Sequence, residues 1–356
     1  MKISRIKKNL NISEERSFYS ISKFFLCSFF VISFFYITPI VINFAEKNFY
    51  NKEFTNNSKK ILAYTLKSKD SNKIENDIID EEDVLFDIFN LNDLESDTVR
   101  LSASTIKQLF EDTDYNLNDV RKKKLVKPVA LTLLPSEIKM IENSKKRKEF
   151  FIQIILPLII QENNNIRLDR LTLFNIINKS NNTDTEKKWL EKKYKQYGVS
   201  SRDLSTLKIR MDEIPVSLAI AQAAKETGWG TSRFAQEGNA LFGQWTWSGD
   251  GLKPKDAKKG EEHKVMKFNV LQASVRAYQR NLNTHSTYKS FRKARAELRD
   301  SGNPLDSIKL SKYLNKYAET GSQYVEVLQK IIMQNKLKDF DDAKLLPSSV
   351  DLESLI

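Results

Sequence analysis

Between Ala219 and Gly243 the chain reads AIAQAAKETGWGTSRFAQEGNALFG, and one carboxylate, Glu226, closes its alanine-rich run just ahead of Gly228, Trp229 and Gly230. Pro215 is expected to set φ for a first helical turn, with Asp212 and Glu213 upstream where negative charge favours a helix N-terminus. Gly228 is expected to end that helix. Counting back three, four and seven positions from Glu226 gives Ala223, Gln222 and Ala219, a stripe of small residues, while Lys225 points elsewhere. Small side chains admit a neighbouring helix or a ligand. A carboxyl placed there loses hydration, its pKa rises, and it can donate a proton near neutral pH. A helix-end Glu is ordinarily a solvated charge; the flanking Trp229 and glycines favour a cleft acid.

Ordered blocks extend this signature. Gln222 to Ala235 is followed by Gly238-Asn239-Ala240-Leu241-Phe242-Gly243-Gln244-Trp245, then by Asn281-Leu282-Asn283-Thr284-His285 with Tyr288, then by Tyr317-Ala318-Glu319-Thr320-Gly321-Ser322-Gln323-Tyr324. Together they resemble the glucosaminidase family of peptidoglycan hydrolases, and within it the Bax-like branch of Gram-negative bacteria. The likeness covers roughly Arg121 to Phe340, is most specific from Ile214 to Asn335, and does not reach the first hundred residues. It implies a lysozyme-like, mainly helical fold and cleavage of the β-1,4 bond after N-acetylglucosamine, with Glu226 as general acid.

Such cleavage needs a proton for the departing oxygen and a group that stabilises the oxocarbenium-like centre, usually a second carboxylate across the cleft. Glu261 and Glu262 are the candidates, because related glucosaminidases carry an acid near the corresponding strand; Glu237 and Asp250 rank below them. As residue types, all could equally be exposed charges. Without a second carboxylate, the substrate's 2-acetamido oxygen could attack, with Tyr317 positioning it. Tyr317 and Tyr324 match the two tyrosines of the family's Tyr-Ala-x-x-x-x-Tyr pattern. Trp245 and Trp247 could stack on sugar rings, and Trp229, Gln222 and Tyr324 complete the expected substrate contacts. His285 is expected to orient a loop. A lytic transglycosylase, which also uses one helical Glu, and a non-catalytic wall-binding module are the alternatives.

The elements that position these groups follow from the rest of the chain. Phe24 to Ala45 contains no Asp, Glu, Lys, Arg or His, with Cys27 its one thiol, which suits a membrane-spanning helix of ~20 residues. Lys2, Arg5, Lys7, Lys8, Arg16 and Lys23 precede it, which orients the N-terminus inward and the remainder into the periplasm, held at the inner membrane. A cleaved signal sequence is the alternative. The net charge of +12, from 58 Lys and Arg against 46 Asp and Glu, then speaks for an anionic surface or solubility rather than nucleic acid. The partners expected are peptidoglycan glycan strands, and the protein is expected to be a monomer. Cys27 is the sole cysteine and His263 and His285 the only histidines, so no intramolecular disulfide can form, no metal is expected and no cofactor is called for.

The expected organisation is a cytoplasmic basic tail (1–23), the anchor (24–45), a polar and acidic linker (46–120), a helical N-terminal part of the catalytic region (121–205), the glucosaminidase domain (206–340) and a C-terminal tail (341–356). Asn48 to Asn72 reads as a solvated tether and Asp77 to Asp97 as an amphipathic docking helix or disorder. The basic runs Arg121 to Lys124 and Lys145 to Lys148 read as solvated faces, with wall contact the sharper option. Glu149 to Asn163 predicts a buried helix kinked or ended near Pro157. Thr185 to Tyr197 predicts a polar helix closed by Gly198. Gln244 to Gly260 reads as a loop and His263 to Val270 as a short strand of a small β-lobe. Helices are expected over Leu271–Thr284, Tyr288–Asp300, Pro304–Tyr317 and Ser322–Leu337. The fold class is mainly α with a minor sheet.

Overall fold

The computed structural model describes residues 99–246, 251–253 and 264–347. The proposed anchor, the tether, the acidic segment and the residues Trp247, Asp250, Glu261, Glu262 and His263 lie outside the described residues. No helix among those described is long and apolar enough to cross a membrane.

Two short helices, α1 (Ala103–Asp112) and α2 (Leu117–Lys123), lead into strand β1 (Leu125–Val126). The long α3 (Ser144–Ile177) follows, then α4 (Asp184–Gln196), α5 (Leu204–Arg210), α6 (Val216–Thr227) and α7 (Arg233–Gly238). Strands β2 (Trp245–Thr246), β3 (Gly251–Leu252) and β4 (Lys264–Met266) form an antiparallel sheet in the order β2-β4-β3. Helices α8 (Leu271–Thr284), α9 (Lys289–Asp300), α10 (Ser307–Ser311) and α11 (Ser322–Gln334) complete the helical body. Finally β5 (Lys344–Leu345) pairs in parallel with β1. The molecule is mainly helical, as its periodicity predicts.

Helix α6 is the hub, packed between α3, α11 and the 3-10 turn Leu337–Phe340. Its sequence explains this: Leu218, Ala219, Ile220, Ala221, Gln222 and Ala223 are all fully buried, and alanines at helical spacing let the neighbouring backbones approach closely. Burying a Leu or Ile of this kind contributes roughly 1.5–3 kcal/mol. Gly228 ends the helix in the left-handed conformation (φ 57, ψ 43), as expected of a residue without a Cβ.

The start of α6 differs from expectation. Pro215 has no side-chain cap to offer, and Asp212 and Glu213 do not serve the helix end. Asp212 is buried among Arg170, Arg295 and Arg299, and Glu213 pairs with Arg167 and Arg299. The cap arrives from the far end of the chain: Asp341 accepts from the Ser217 N–H and the Ser217 hydroxyl, both at 2.8 Å. A carboxyl from another segment thus satisfies one of the amides that a local N-cap residue usually covers.

Other boundaries move for similar reasons. Helix α3 continues for a further twenty residues past Pro157 to Ile177. Proline removes the bond to the carbonyl of Gln153, and that carbonyl accepts instead from the Tyr115 hydroxyl at 3.1 Å, while the Gln153 amide donates to the Tyr115 carbonyl at 2.8 Å. Core packing begins inside the stretch read as linker, since Ile106, Phe110 and Tyr115 join the main cluster. It also runs into the C-terminal segment, where Ala343 is buried and Lys344 pairs with the first strand. The expected helix over 304–317 is confined to Ser307–Ser311 and a 3-10 turn. The run at Arg121 divides: Arg121 pairs with Asp339 and covers the Phe340 ring and Lys124 pairs with Asp342, while Lys122 and Lys123 are exposed.

Candidate active site

Glu226 stands in the last turn of α6, and the loop behind it makes a sharp elbow. Gly228, Trp229 and Gly230 all have positive φ, at 57°, 61° and 83°. A Cβ on Gly230 would lie 2.9 Å from the Phe151 ring, so the turn needs glycine for space as well as for conformation. The Thr227 hydroxyl donates to the Ala223 carbonyl at 2.6 Å and accepts from the Gly230 N–H at 2.9 Å. Trp229, expected to touch substrate, is half-buried, edge-on to Phe151 (6.0 Å) with the Lys148 ammonium 5.2 Å from its ring. There it braces a left-handed residue that would otherwise be strained.

The segment Gly238 to Gly243 returns the chain to the acid. Asn239, itself left-handed, donates to the Phe268 carbonyl at 2.8 Å, and the Leu241 N–H donates to Ser274 Oγ at 3.0 Å. Phe242 stacks on Tyr278 with ring centroids 3.8 Å apart. This pins Gly243 (φ 62) so close to the carboxyl that an added Cβ would be 3.4 Å from Glu226 Oε2. Glycine here keeps the acid's flank open.

Tyrosines close the other sides. The Tyr324 hydroxyl in α11 faces the Glu226 carboxyl closely enough to lower its pKa. Its ring stacks on Tyr317 (5.5 Å, 8°), and Tyr317 is 6.0 Å from Tyr288. The Tyr317 hydroxyl donates to the Phe242 carbonyl at 2.9 Å. Burial raises the Glu226 carboxyl above the ordinary carboxylate range; the Tyr324 hydrogen bond and the Lys225 ammonium oppose that without cancelling it. Burial likewise pushes Tyr288 up to about 12, with the Glu226 charge adding to it and a hydrogen bond to Asn281 opposing it. Tyr317 and Tyr324 are raised for the same leading reason. These phenols stay protonated, so they act as hydrogen-bond donors and not as bases.

Not every candidate converges here. Gln222 is fully buried and Tyr324 nearly so, so both face the interior and not a bound glycan. Trp245 is about half exposed (51%) on β2, paired opposite Val265, in keeping with a face open to a ligand. Glu237 is exposed and pairs with Arg233. His285 accepts from the Thr287 N–H at 3.2 Å and lies 5.9 Å from the Tyr288 ring, a loop-orienting arrangement. Among the described residues no carboxylate adds to the upward shift of Glu226, and no group of His, Cys, Asp or Glu could hold a metal ion. Tyr278 and Tyr288 were not singled out as site residues from sequence. The signal was faint: both flank the Asn281-to-His285 block, at a spacing that shares no helix face with Glu226.

Fold and site together define a helical domain built around one shielded carboxylic acid. Residues 202–337 match the Glucosaminidase family, described as mannosyl-glycoprotein endo-beta-N-acetylglucosaminidase. The chain is 32% identical over 196 residues to Protein bax of Escherichia coli (strain K12), a match that covers 53% of this chain and 70% of that protein. No solved structure matches significantly. The chain belongs to the glucosaminidase family, in its Bax-like branch. Membership points to a peptidoglycan-related hydrolase.

Proposed function

We propose that the protein is an endo-β-N-acetylglucosaminidase that cleaves peptidoglycan strands after N-acetylglucosamine, with Glu226 as the general acid. The observation that carries this reading is the state of that carboxyl: raised by burial, held by Tyr324, and left open on one flank by Gly243. A carboxyl that holds its proton more tightly than an ordinary one can deliver it to a departing glycosidic oxygen. Trp245, exposed beside the acid-bearing core on the small β-lobe, supplies a ring face suited to a sugar. Glu261 and Glu262 remain the candidates for the second carboxylate. The small sheet beside a helical body, with the acid at a helix end, supports a lysozyme-like arrangement.

The apolar run Phe24 to Ala45 behind its basic flank supports an inner-membrane anchor that leaves the domain in the periplasm, where its substrate is. Digestion of purified peptidoglycan followed by mass spectrometry of the products tests the whole reading. New reducing ends on N-acetylglucosamine are expected; reducing N-acetylmuramic acid sinks it, and anhydromuramic ends make the protein a lytic transglycosylase. Glu226→Gln is expected to abolish turnover yet still sediment with peptidoglycan. Undiminished digestion by that variant removes Glu226 as the acid, and no turnover by the native protein makes it a wall-binding module.

A further inference from the structure

Behind the acid lies a hydrogen-bonded chain that a substrate cannot touch. Gln222 and Tyr278 are fully buried. Tyr278 Oη donates to Gln222 Oε1 at 2.7 Å, and Gln222 Nε2 donates to Tyr324 Oη at 3.0 Å. A phenol carries one proton. Because the Tyr324 oxygen already accepts from the amide, its own proton is left for the Glu226 carboxyl that it faces.

The direction depends on which end of the Gln222 amide faces which ring. Among the described residues Gln222 Oε1 is the acceptor that serves the Tyr278 proton. Turning the amide over would strand that buried O–H beneath the stacked Phe242 ring, at the cost of a lost hydrogen bond in a dry interior. It would also turn Oε1 toward Tyr324 and draw that proton off the carboxylate. We propose that Gln222 and Tyr278 are positioning residues, forming a one-way relay from Tyr278 through Gln222 to Tyr324 that keeps the Tyr324 proton directed at Glu226. The claim that this tunes catalysis rests on the reading of Glu226 as proton donor; the relay itself does not. The other groups that face the carboxyl are Tyr288 and Tyr317, the main chain at Gly243, and Lys225 on its own helix.

Removing the donor end of the relay releases the amide, so the Glu226 carboxyl loses part of its hydrogen bond and becomes harder to ionise. The experiment is a titration of the Glu226 side-chain carboxyl by 13C NMR in glutamate-labelled full-length protein, with Glu226→Gln to assign the resonance. Tyr278→Phe is expected to raise the midpoint by about one pH unit, the size of one hydrogen bond to a charged group. Gln222→Glu, which can accept from both tyrosines but no longer donate, is expected to raise it at least as far. In a Tyr324→Phe background, Tyr278→Phe is expected to add no further shift. An unmoved midpoint in both Tyr278→Phe and Gln222→Glu, or a shift that adds fully to that of Tyr324→Phe, overturns the relay. The pH-rate profile on peptidoglycan separates the two claims: an alkaline limb that follows the NMR midpoint supports both, whereas shifted midpoints with undiminished turnover by Glu226→Gln leave the relay standing and remove the catalytic reading.

Discussion

The Tyr317 hydroxyl donates to the main-chain carbonyl of Phe242 at 2.9 Å, which ties the segment ahead of α11 to the loop that brings Gly243 against Glu226. The ring stacks on Tyr324, so one residue steadies both the open flank of the acid and its donor. This is a different task from polarising a 2-acetamido group, for which the hydroxyl would have to leave Phe242.

Tyr317→Phe keeps the stack and removes the tie. A neutral hydrogen bond of this sort is worth about 1 kcal/mol, so a fall in kcat of about fivefold is expected, with a melting temperature lower by a few degrees. A loss of a thousandfold or more, with unchanged stability, would show that the hydroxyl acts on the substrate and not on the loop.

Gly243→Ala tests the close approach directly. The position has φ 62, which costs an L-residue about 1–2 kcal/mol, and the new methyl would lie 3.4 Å from Glu226 Oε2. Folding should survive with a modest drop in melting temperature, whereas kcat/KM should fall by tenfold or more, because the methyl occupies the side from which a glycosidic oxygen approaches. Equal activity in the Gly243→Ala variant and the native protein would place the substrate on another flank.

Much of this arrangement was legible from short-range pattern. The bounds of α8 follow from its apolar spacing and the end of α6 from Gly228, whereas α4 starts at Asp184 on a reciprocal Thr183 and Glu186 cap that the reading from Thr185 passed over. Met266, Phe268 and Val270 do pack together, but the strand expected to run to Val270 ends at Met266, and the sheet's other two strands lie at Trp245–Thr246 and Gly251–Leu252, inside the stretch read as loop. What escaped the sequence depends on partners far along the chain. Nothing near Pro157 announces that Tyr115 takes up the freed carbonyl, and nothing near Ser217 announces Asp341. Gln222 illustrates the limit within the site: its place on the stripe beside Glu226 was correct, but whether a stripe residue faces ligand or core is decided by α8 and α11, which bring Tyr278 and Tyr324 to its two ends.

Asp212 is the group whose loss should be most costly to the fold. Burial pushes its carboxyl up, yet Arg170, Arg299 and Arg295 together outweigh that and hold it well below the usual carboxylate range. With the folded value depressed, its contribution is present above the unfolded pKa of ~3.9 and is lost as pH falls toward the folded value. Acid unfolding below about pH 4 is therefore expected to be steeper in native protein than in Asp212→Asn. At pH 7 that substitution leaves buried guanidinium groups uncompensated and should cost about 3–5 kcal/mol by denaturant titration. A cost under 1 kcal/mol would mean that the Arg295 and Arg170 bonds to main-chain carbonyls suffice without the carboxylate.

Asp341, which caps α6 from the other side of the core, has the opposite sign. Burial pushes its carboxyl up to about 6, against the opposing hydrogen bonds from Ser217. A carboxyl whose folded value exceeds its unfolded one contributes most below about pH 4, and that contribution fades as pH rises through 6. Partial exposure limits the effect to no more than about 2 kcal/mol. The side chain introduced by Asp341→Asn can still accept from the Ser217 N–H while its amide donates to the Ser217 hydroxyl, so this variant should match native stability at pH 8 or exceed it, and fall behind only near pH 4. Asp341→Ala, which leaves the Ser217 amide without its acceptor, should cost about 1 kcal/mol or more at both pH values. Denaturation midpoints of the three proteins at pH 4 and pH 8 decide the matter: a native protein that gains stability steadily from pH 4 to pH 8 while Asp341→Asn does not would show that the carboxylate is charged in the fold, with the cap acting as an ion and not as a neutral acceptor.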